Sequence, residues 1–120
     1  MKQLFNILAV FGFFFGATFA GEELGLSTGP LINASCIECH DGDAKTTLNF
    51  DTLGSDLDDP ATFRMWEKIF DRVTTGEMPP KKKPRPNRDI SKAALDSIEP
   101  SLHKTSVAQQ QLNGRAQSRR

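Results

Sequence analysis

Cys36-Ile37-Glu38-Cys39-His40 is the motif from which the fold of this chain can be inferred. Its spacing, C-x-x-C-H, is the attachment signature of c-type haem. On one helical turn the two thiols can point the same way and add across the two vinyl groups of a haem. The imidazole that follows is carried beneath the ring, where one of its nitrogens can bind the iron. The motif therefore predicts a covalently attached haem with His40 as an iron ligand.

The first twenty residues predict export. Lys2 precedes an apolar run at residues 4–15, and small residues at Thr18 and Ala20 precede a polar Gly21-Glu22-Glu23. This pattern is typical of a secretory signal peptide, here with cleavage after Ala20. The run is shorter than the ~20 apolar residues that span a bilayer. We expect the mature protein in the periplasm or cell envelope, with membrane attachment only if the segment is uncleaved.

Removal of that segment leaves about 100 residues, enough for one domain. We expect the domain to span residues 21–100 and a polar, arginine-rich tail to occupy residues 101–120. A core this small usually needs additional stabilisation from a disulfide, a metal or an equivalent group. A haem would provide it as a flat apolar group against which helices pack. Pro, Asp and Gly around residues 44–54 argue against strands, so we predict an all-α fold.

The clearest predicted helix lies between Asp59 and Gly76. Asp59 is a good N-cap, Pro60 is tolerated in the first turn, and Gly76 is a stop signal. The apolar residues between them recur at intervals of three, three, one and three: Phe63, Trp66, Ile69, Phe70 and Val73. Such a stripe predicts an amphipathic helix that packs against the core.

Two further helices are predicted on either side of it. Residues 27–39 can form a short helix with Pro30 near its start, which ends at the Asp-Gly turn that follows. A last helix begins at Asn87 or Asp89 and is ended or kinked by Pro100.

Met78, in the segment Gly76-Glu77-Met78-Pro79-Pro80, is the candidate for the second iron ligand. A thioether sulfur suits haem iron opposite a histidine and raises its reduction potential. Met78 lies 38 residues beyond His40, in a loop stiffened by two prolines. Met65 falls on or near the predicted helix, and Met1 is lost with the signal peptide. The alternative is a methionine that fills a gap in the core.

Charge is unevenly distributed although the net charge is zero. Residues 21–60 contain nine acids against one lysine, and residues 61–120 contain thirteen Lys or Arg against six acids. The basic, proline-rich stretch at residues 81–86 could dock an acidic partner, but a solvated linker is the favoured interpretation. Nucleic-acid binding is not expected of an exported chain without net charge.

The order of motifs resembles the planctomycete-type cytochrome c domain, found at the N-terminus of large exported proteins. The motifs are Cys36-Ile37-Glu38-Cys39-His40-Asp41-Gly42, Leu48-Asn49-Phe50-Asp51, Trp66-Glu67-Lys68 and Gly76-Glu77-Met78-Pro79-Pro80, within roughly residues 30–98. The resemblance implies a small class I-like cytochrome c fold, with three to four short helices around one covalent haem c. It also implies Cys36 and Cys39 as thioether sites, His40 as proximal ligand and Met78 as distal ligand.

Two departures from the family pattern concern the C-terminal part. Such domains usually continue their final helix where this chain has Pro100, and they run on into long further domains. We therefore expect the sequence, which stops at Arg120, to be a fragment of a longer protein.

Electron transfer is the predicted function, because a haem module needs no general base, nucleophile or substrate pocket. The expected partner is a redox protein or an adjoining domain, with no small-molecule substrate and no enzymatic activity in this domain.

Two other functions are possible for the same cysteines. A thiol–disulfide oxidoreductase would use Cys36 and Cys39, but such a motif normally follows a strand, and none is predicted here. A structural zinc site would need Cys36, Cys39, His103 and one more ligand, and His40 directly beside Cys39 is poorly spaced for tetrahedral coordination. His103 is interpreted as an exposed residue of the tail.

Overall fold

The computed structural model describes the backbone of residues 20–117 and the side chains of residues 24–114. The predicted signal peptide, apart from Ala20, lies outside these residues. Four helices are present in the described part: α1 (Ala20–Ser35), α2 (Ile37–His40), α3 (Pro60–Thr74) and α4 (Arg88–Gln117). No strand occurs in this part of the chain, so the predicted all-α fold is confirmed. None of these helices combines the length and apolarity needed to cross a membrane.

Helix α1 begins earlier than predicted and stops one residue before the first cysteine. The expected single helix over residues 27–39 is divided at Cys36 into α1 and α2, and Pro30 lies inside α1. Leu24 and Leu31 are buried on one side of α1, and the buried Thr28 hydroxyl donates to the Leu24 carbonyl at 2.6 Å. Burial of this face offsets the low helix propensity of the glycines and the proline in α1.

Helix α3 forms as predicted. The Asp59 side chain accepts a hydrogen bond from the Thr62 N–H at 2.8 Å, and Pro60 occupies the first turn. The helix ends at a C-cap, Thr75, which is followed by Gly76 with φ +74°. That backbone conformation favours glycine, so Gly76 is a true stop signal.

Helix α4 does not end at Pro100 but continues to Gln117. Ala94, Ile98 and Leu102 follow one another at intervals of four and are all buried. Residues four apart share a helix face, so this face remains continuous across Pro100. A proline removes one N–H donor from the helix, and burial of Leu102 beyond it compensates. The division between domain and tail at residue 100 stays a prediction, but the core contains a side chain from beyond it.

The core brings together α1, α3 and α4. Its buried cluster contains one residue of α1, two of α3 and two of α4: Leu24, Phe63, Trp66, Ile98 and Leu102. Helix α4 thus packs against both α1 and α3. Leu53 and Leu57, in the segment between α2 and α3, residues 41–59, pack against this cluster. Helix α2 and other residues of the 41–59 segment line the candidate functional site.

Candidate functional site

A cavity of about 460 Å³ opens beside α2 and α3. This volume falls within the range of 300–1,000 Å³ that is usual for small-molecule and cofactor sites. Apolar side chains from the helices and from the intervening segment contribute most of its lining: Leu31, Leu48, Phe50, Ile69, Val73, Pro79 and Pro80. A flat apolar cofactor would find mainly hydrocarbon contacts here.

All four residues predicted to hold a haem line this one cavity. Cys36 lies between α1 and α2, Cys39 and His40 lie on α2, and Met78 comes from the loop after α3. Both cysteines are free thiols. The fold therefore brings Met78 to the same cavity as His40, although Met78 lies 38 positions further along the sequence.

Hydrogen bonds hold the loop that carries Met78. The Met78 N–H donates to the Arg72 carbonyl at 2.9 Å, which folds the chain back against the end of α3. The Arg85 guanidinium donates to the carbonyls of Gly76 at 3.3 Å and Pro79 at 2.8 Å. These bonds fix the backbone on both sides of the Met78 thioether.

Met65, on α3, lines the same cavity and was not considered a rival to Met78 from the sequence. The pattern that could have revealed it is helical spacing, because Met65, Ile69 and Val73 follow one another at intervals of four. The cavity thus contains two thioether sulfurs, and any test of Met78 needs Met65 as its control.

The His40 ring is held by two residues of the 41–59 segment. Its Nδ1 lies 3.0 Å from the Thr46 hydroxyl oxygen, and Phe50 lies edge-on to it with ring centroids 6.2 Å apart. The backbone N–H of Phe50 donates to the His40 carbonyl at 2.9 Å, which ties the segment to the end of α2. The sequence did not single out Thr46, because this contact depends on the path of the segment.

Burial raises the pKa of the Cys36 thiol to about 11, whereas Cys39 is exposed. Cys36 Sγ lies 3.7 Å from the Leu31 carbonyl oxygen, towards which the thiol can donate weakly. Thiol–disulfide oxidoreductases depend on a cysteine whose pKa is lowered. A raised pKa, together with a helix rather than a strand before the motif, makes that alternative unfavourable.

The zinc alternative also finds no support in the described residues. Within them, no group of three or more His, Cys, Asp or Glu side chains is arranged to hold a metal ion. His103 lies on α4 and is exposed, as the sequence predicted.

Basic side chains lie among the apolar lining of the cavity. Lys68, Arg72 and Lys83 all contribute to it. Lys83 Nζ lies 2.7 Å from Glu38 Oε1, which joins the loop after α3 to α2. Glu38 raises the pKa of Lys83 by accepting a hydrogen bond and by its charge. Such cations can meet the carboxylates of a ligand whose body is apolar.

These residues fit a haem. The cavity offers apolar walls, two free thiols three residues apart, an imidazole directly after them and cations for acidic substituents. An all-α fold with such a cavity at a C-x-x-C-H motif is the architecture of a c-type cytochrome domain.

Residues 36–82 match the family model described as planctomycete cytochrome C. The match confirms the resemblance predicted from the sequence. It covers α2, the 41–59 segment, α3 and the loop with Met78, while α1 and α4 lie outside it. No curated protein and no solved structure is significantly similar to this chain.

Proposed function

We propose that this chain is an exported single-electron carrier with one haem c. Cys36 and Cys39 would attach the haem covalently, and His40 and Met78 would ligate its iron. The observation that carries the proposal is the convergence of these four side chains on one cavity of suitable size. The family match supports haem-based electron transfer as the general function.

The bound haem would supply the redox chemistry, because its iron cycles between two oxidation states. The side chains of this protein would set the conditions for that change. Thioether bonds at the cysteines would prevent loss of the cofactor. A Met78 thioether opposite His40 would raise the reduction potential relative to a second imidazole. The apolar lining would limit access of water and thereby favour the form with lower net charge.

Export and partner choice belong to the same proposal. The N-terminal segment would direct the chain out of the cytoplasm and be cleaved after Ala20. Electrons would pass to or from a redox protein or an adjoining domain at the side of the cavity where Cys39 is exposed. The domain itself would act as a carrier and not as an enzyme.

The decisive experiment is expression of the chain with and without a haem-attachment system. After denaturing electrophoresis, we expect haem peroxidase stain and an intact mass increased by one haem only when the system is present. Cys36→Ala/Cys39→Ala should lose the stain, because both thioether bonds are gone. Met78→Ala should retain it and serves as the control. A colourless product with the mass of the bare polypeptide would refute the proposal.

Export is tested by N-terminal sequencing of the same purified product. We expect Gly21 as its first residue and recovery from the periplasmic fraction. Material that retains Met1 in the cytoplasmic fraction would contradict export.

A further inference from the structure

The hydroxyl of Thr46 lies between His40 and a backbone carbonyl. Thr46 Oγ1 is 3.0 Å from His40 Nδ1 and 2.6 Å from the Leu48 carbonyl oxygen. Both distances fall in the range of real hydrogen bonds. Thr46 belongs to the 41–59 segment and lines the cavity together with His40.

The direction of both hydrogen bonds follows from the number of protons available. A carbonyl oxygen can only accept, so the single hydroxyl proton of Thr46 is directed at Leu48. The hydroxyl oxygen must then accept the proton of His40 Nδ1. The imidazole is thereby held as the Nδ1–H tautomer, which leaves the lone pair of Nε2 free.

We infer that Thr46 is a positioning residue for the iron ligand His40: it presents Nε2 to the metal and strengthens the imidazole as a donor. When one ring nitrogen of a histidine binds a metal, an acceptor for the N–H of the other ring nitrogen fixes the ring and raises the basicity of the ligand. The Leu48 carbonyl polarises the Thr46 hydroxyl and so makes it a better acceptor. This inference rests on the proposed function, because it concerns the histidine that would ligate the haem.

The test compares haem-loaded variants of Thr46 by reduction potential and by NMR. Thr46→Val keeps the shape of the side chain but removes the hydroxyl, and Thr46→Ala removes it without adding bulk. Thr46→Ser restores the hydroxyl. Thr52→Val is the matched control, because Thr52 lies in the same 41–59 segment but does not line the cavity.

We expect Thr46→Val and Thr46→Ala to shift the reduction potential to more positive values. A less basic imidazole stabilises the oxidised iron less. In the reduced protein the His40 Nδ1–H should exchange with water faster, on the order of two- to tenfold, as for loss of one hydrogen bond. Thr46→Ser and Thr52→Val should match the unsubstituted protein in both measurements.

Two outcomes would overturn the inference and are distinguishable from each other. If the protein carries haem but Thr46→Val and Thr46→Ala change neither potential nor exchange, Thr46 has no positioning role and the proposed function stands. If the unsubstituted protein carries no haem, the proposed function fails and this inference fails with it.

Discussion

The two cysteines of the attachment motif differ in their surroundings although only two residues separate them. Cys36 lies at the junction of α1 and α2, where burial raises its pKa to about 11, and Cys39 is exposed on α2. A neutral thiol reacts slowly with disulfides and alkylating agents. The folded, haem-free chain therefore protects Cys36 from oxidation more than Cys39.

This difference predicts a pH dependence of stability in the haem-free chain. Burial on folding raises the pKa of Cys36 from 9.0 to about 11. The folded chain favours the neutral thiol, so the free energy of unfolding is highest below pH 9. It falls as the pH rises towards 11, because the unfolded chain loses the Cys36 proton first. After discounting for partial exposure, we expect a loss of about 1 kcal/mol.

Urea unfolding of the haem-free chain on both sides of this pH window measures the effect. Cys36→Ala is the control, because only the loss that depends on the thiol disappears in that variant. An equal loss of stability in Cys36→Ala would show that other groups cause it.

The distal ligand is a second prediction at the scale of single residues. Met78→Ala should abolish the weak methionine–iron charge-transfer absorption of the oxidised protein, because no thioether would then bind the iron. Met65→Ala should leave that absorption in place, although Met65 lines the same cavity. If the absorption is lost in Met65→Ala but kept in Met78→Ala, the ligand is Met65. If it persists in both variants, neither methionine is the ligand.

Among the secondary-structure elements, α3 links the core to the cavity. Trp66 is buried on the core side of this helix, and its indole N–H donates to the Gly54 carbonyl at 2.9 Å. The 41–59 segment, which provides Thr46, Leu48 and Phe50 to the cavity, is thus anchored to α3 by a core residue. A change in the core should therefore reach the cavity through this hydrogen bond.

Trp66→Phe tests this link between core and cavity. It removes the indole N–H and part of the ring, and we expect it to destabilise the protein by about 1–3 kcal/mol. Amide exchange should accelerate for the N–H groups of Phe50 and Leu53, which donate within the segment or to α2. Phe63→Leu is the control: it trims another buried ring of α3 but leaves the Gly54 bond intact. Equal acceleration in both variants would mean that general destabilisation is responsible.

At the scale of the whole molecule, the core and the family-matched segment do not coincide. Residues 36–82 provide most but not all of the cavity lining, while the buried cluster also includes Leu24 of α1 and Ile98 and Leu102 of α4. Helices α1 and α4 therefore act as the support on which the cavity is built. Their packing places the attachment motif at the C-terminal end of α1, a helix buried on one side.

This arrangement predicts that the folded unit requires residues beyond Pro100. A chain that ends at residue 100 loses the buried side chain of Leu102, and we expect it to be destabilised by about 2–4 kcal/mol, like Leu102→Ala. A chain that ends at residue 106 keeps Leu102 and should be more stable than the shorter one. Urea unfolding of the two truncated chains and of Leu102→Ala measures these differences. Equal stability of the two truncated chains would place the boundary of the folded unit at residue 100.

Some of the cavity residues can be predicted from local sequence patterns. Cys36, Cys39 and His40 were identified from their spacing alone, because haem attachment requires that order of groups within one helical turn. Helix α3 was predicted from its cap, its proline and its stop glycine, which act over three or four residues. Local sequence patterns were therefore sufficient to predict the C-x-x-C-H motif, the all-α class and helix α3.

Other features depend on contacts between residues that are distant in the sequence. Helix α1 starts ahead of its predicted bounds and α4 runs past Pro100, because Leu24 and Leu102 are buried in one cluster although they lie far apart in the chain. The Thr46 bond to His40 and the place of Met65 in the cavity likewise depend on how the 41–59 segment packs. Apolar side chains from several helices are buried against one another, and the free energy gained by this packing can outweigh the local helix propensities of the sequence.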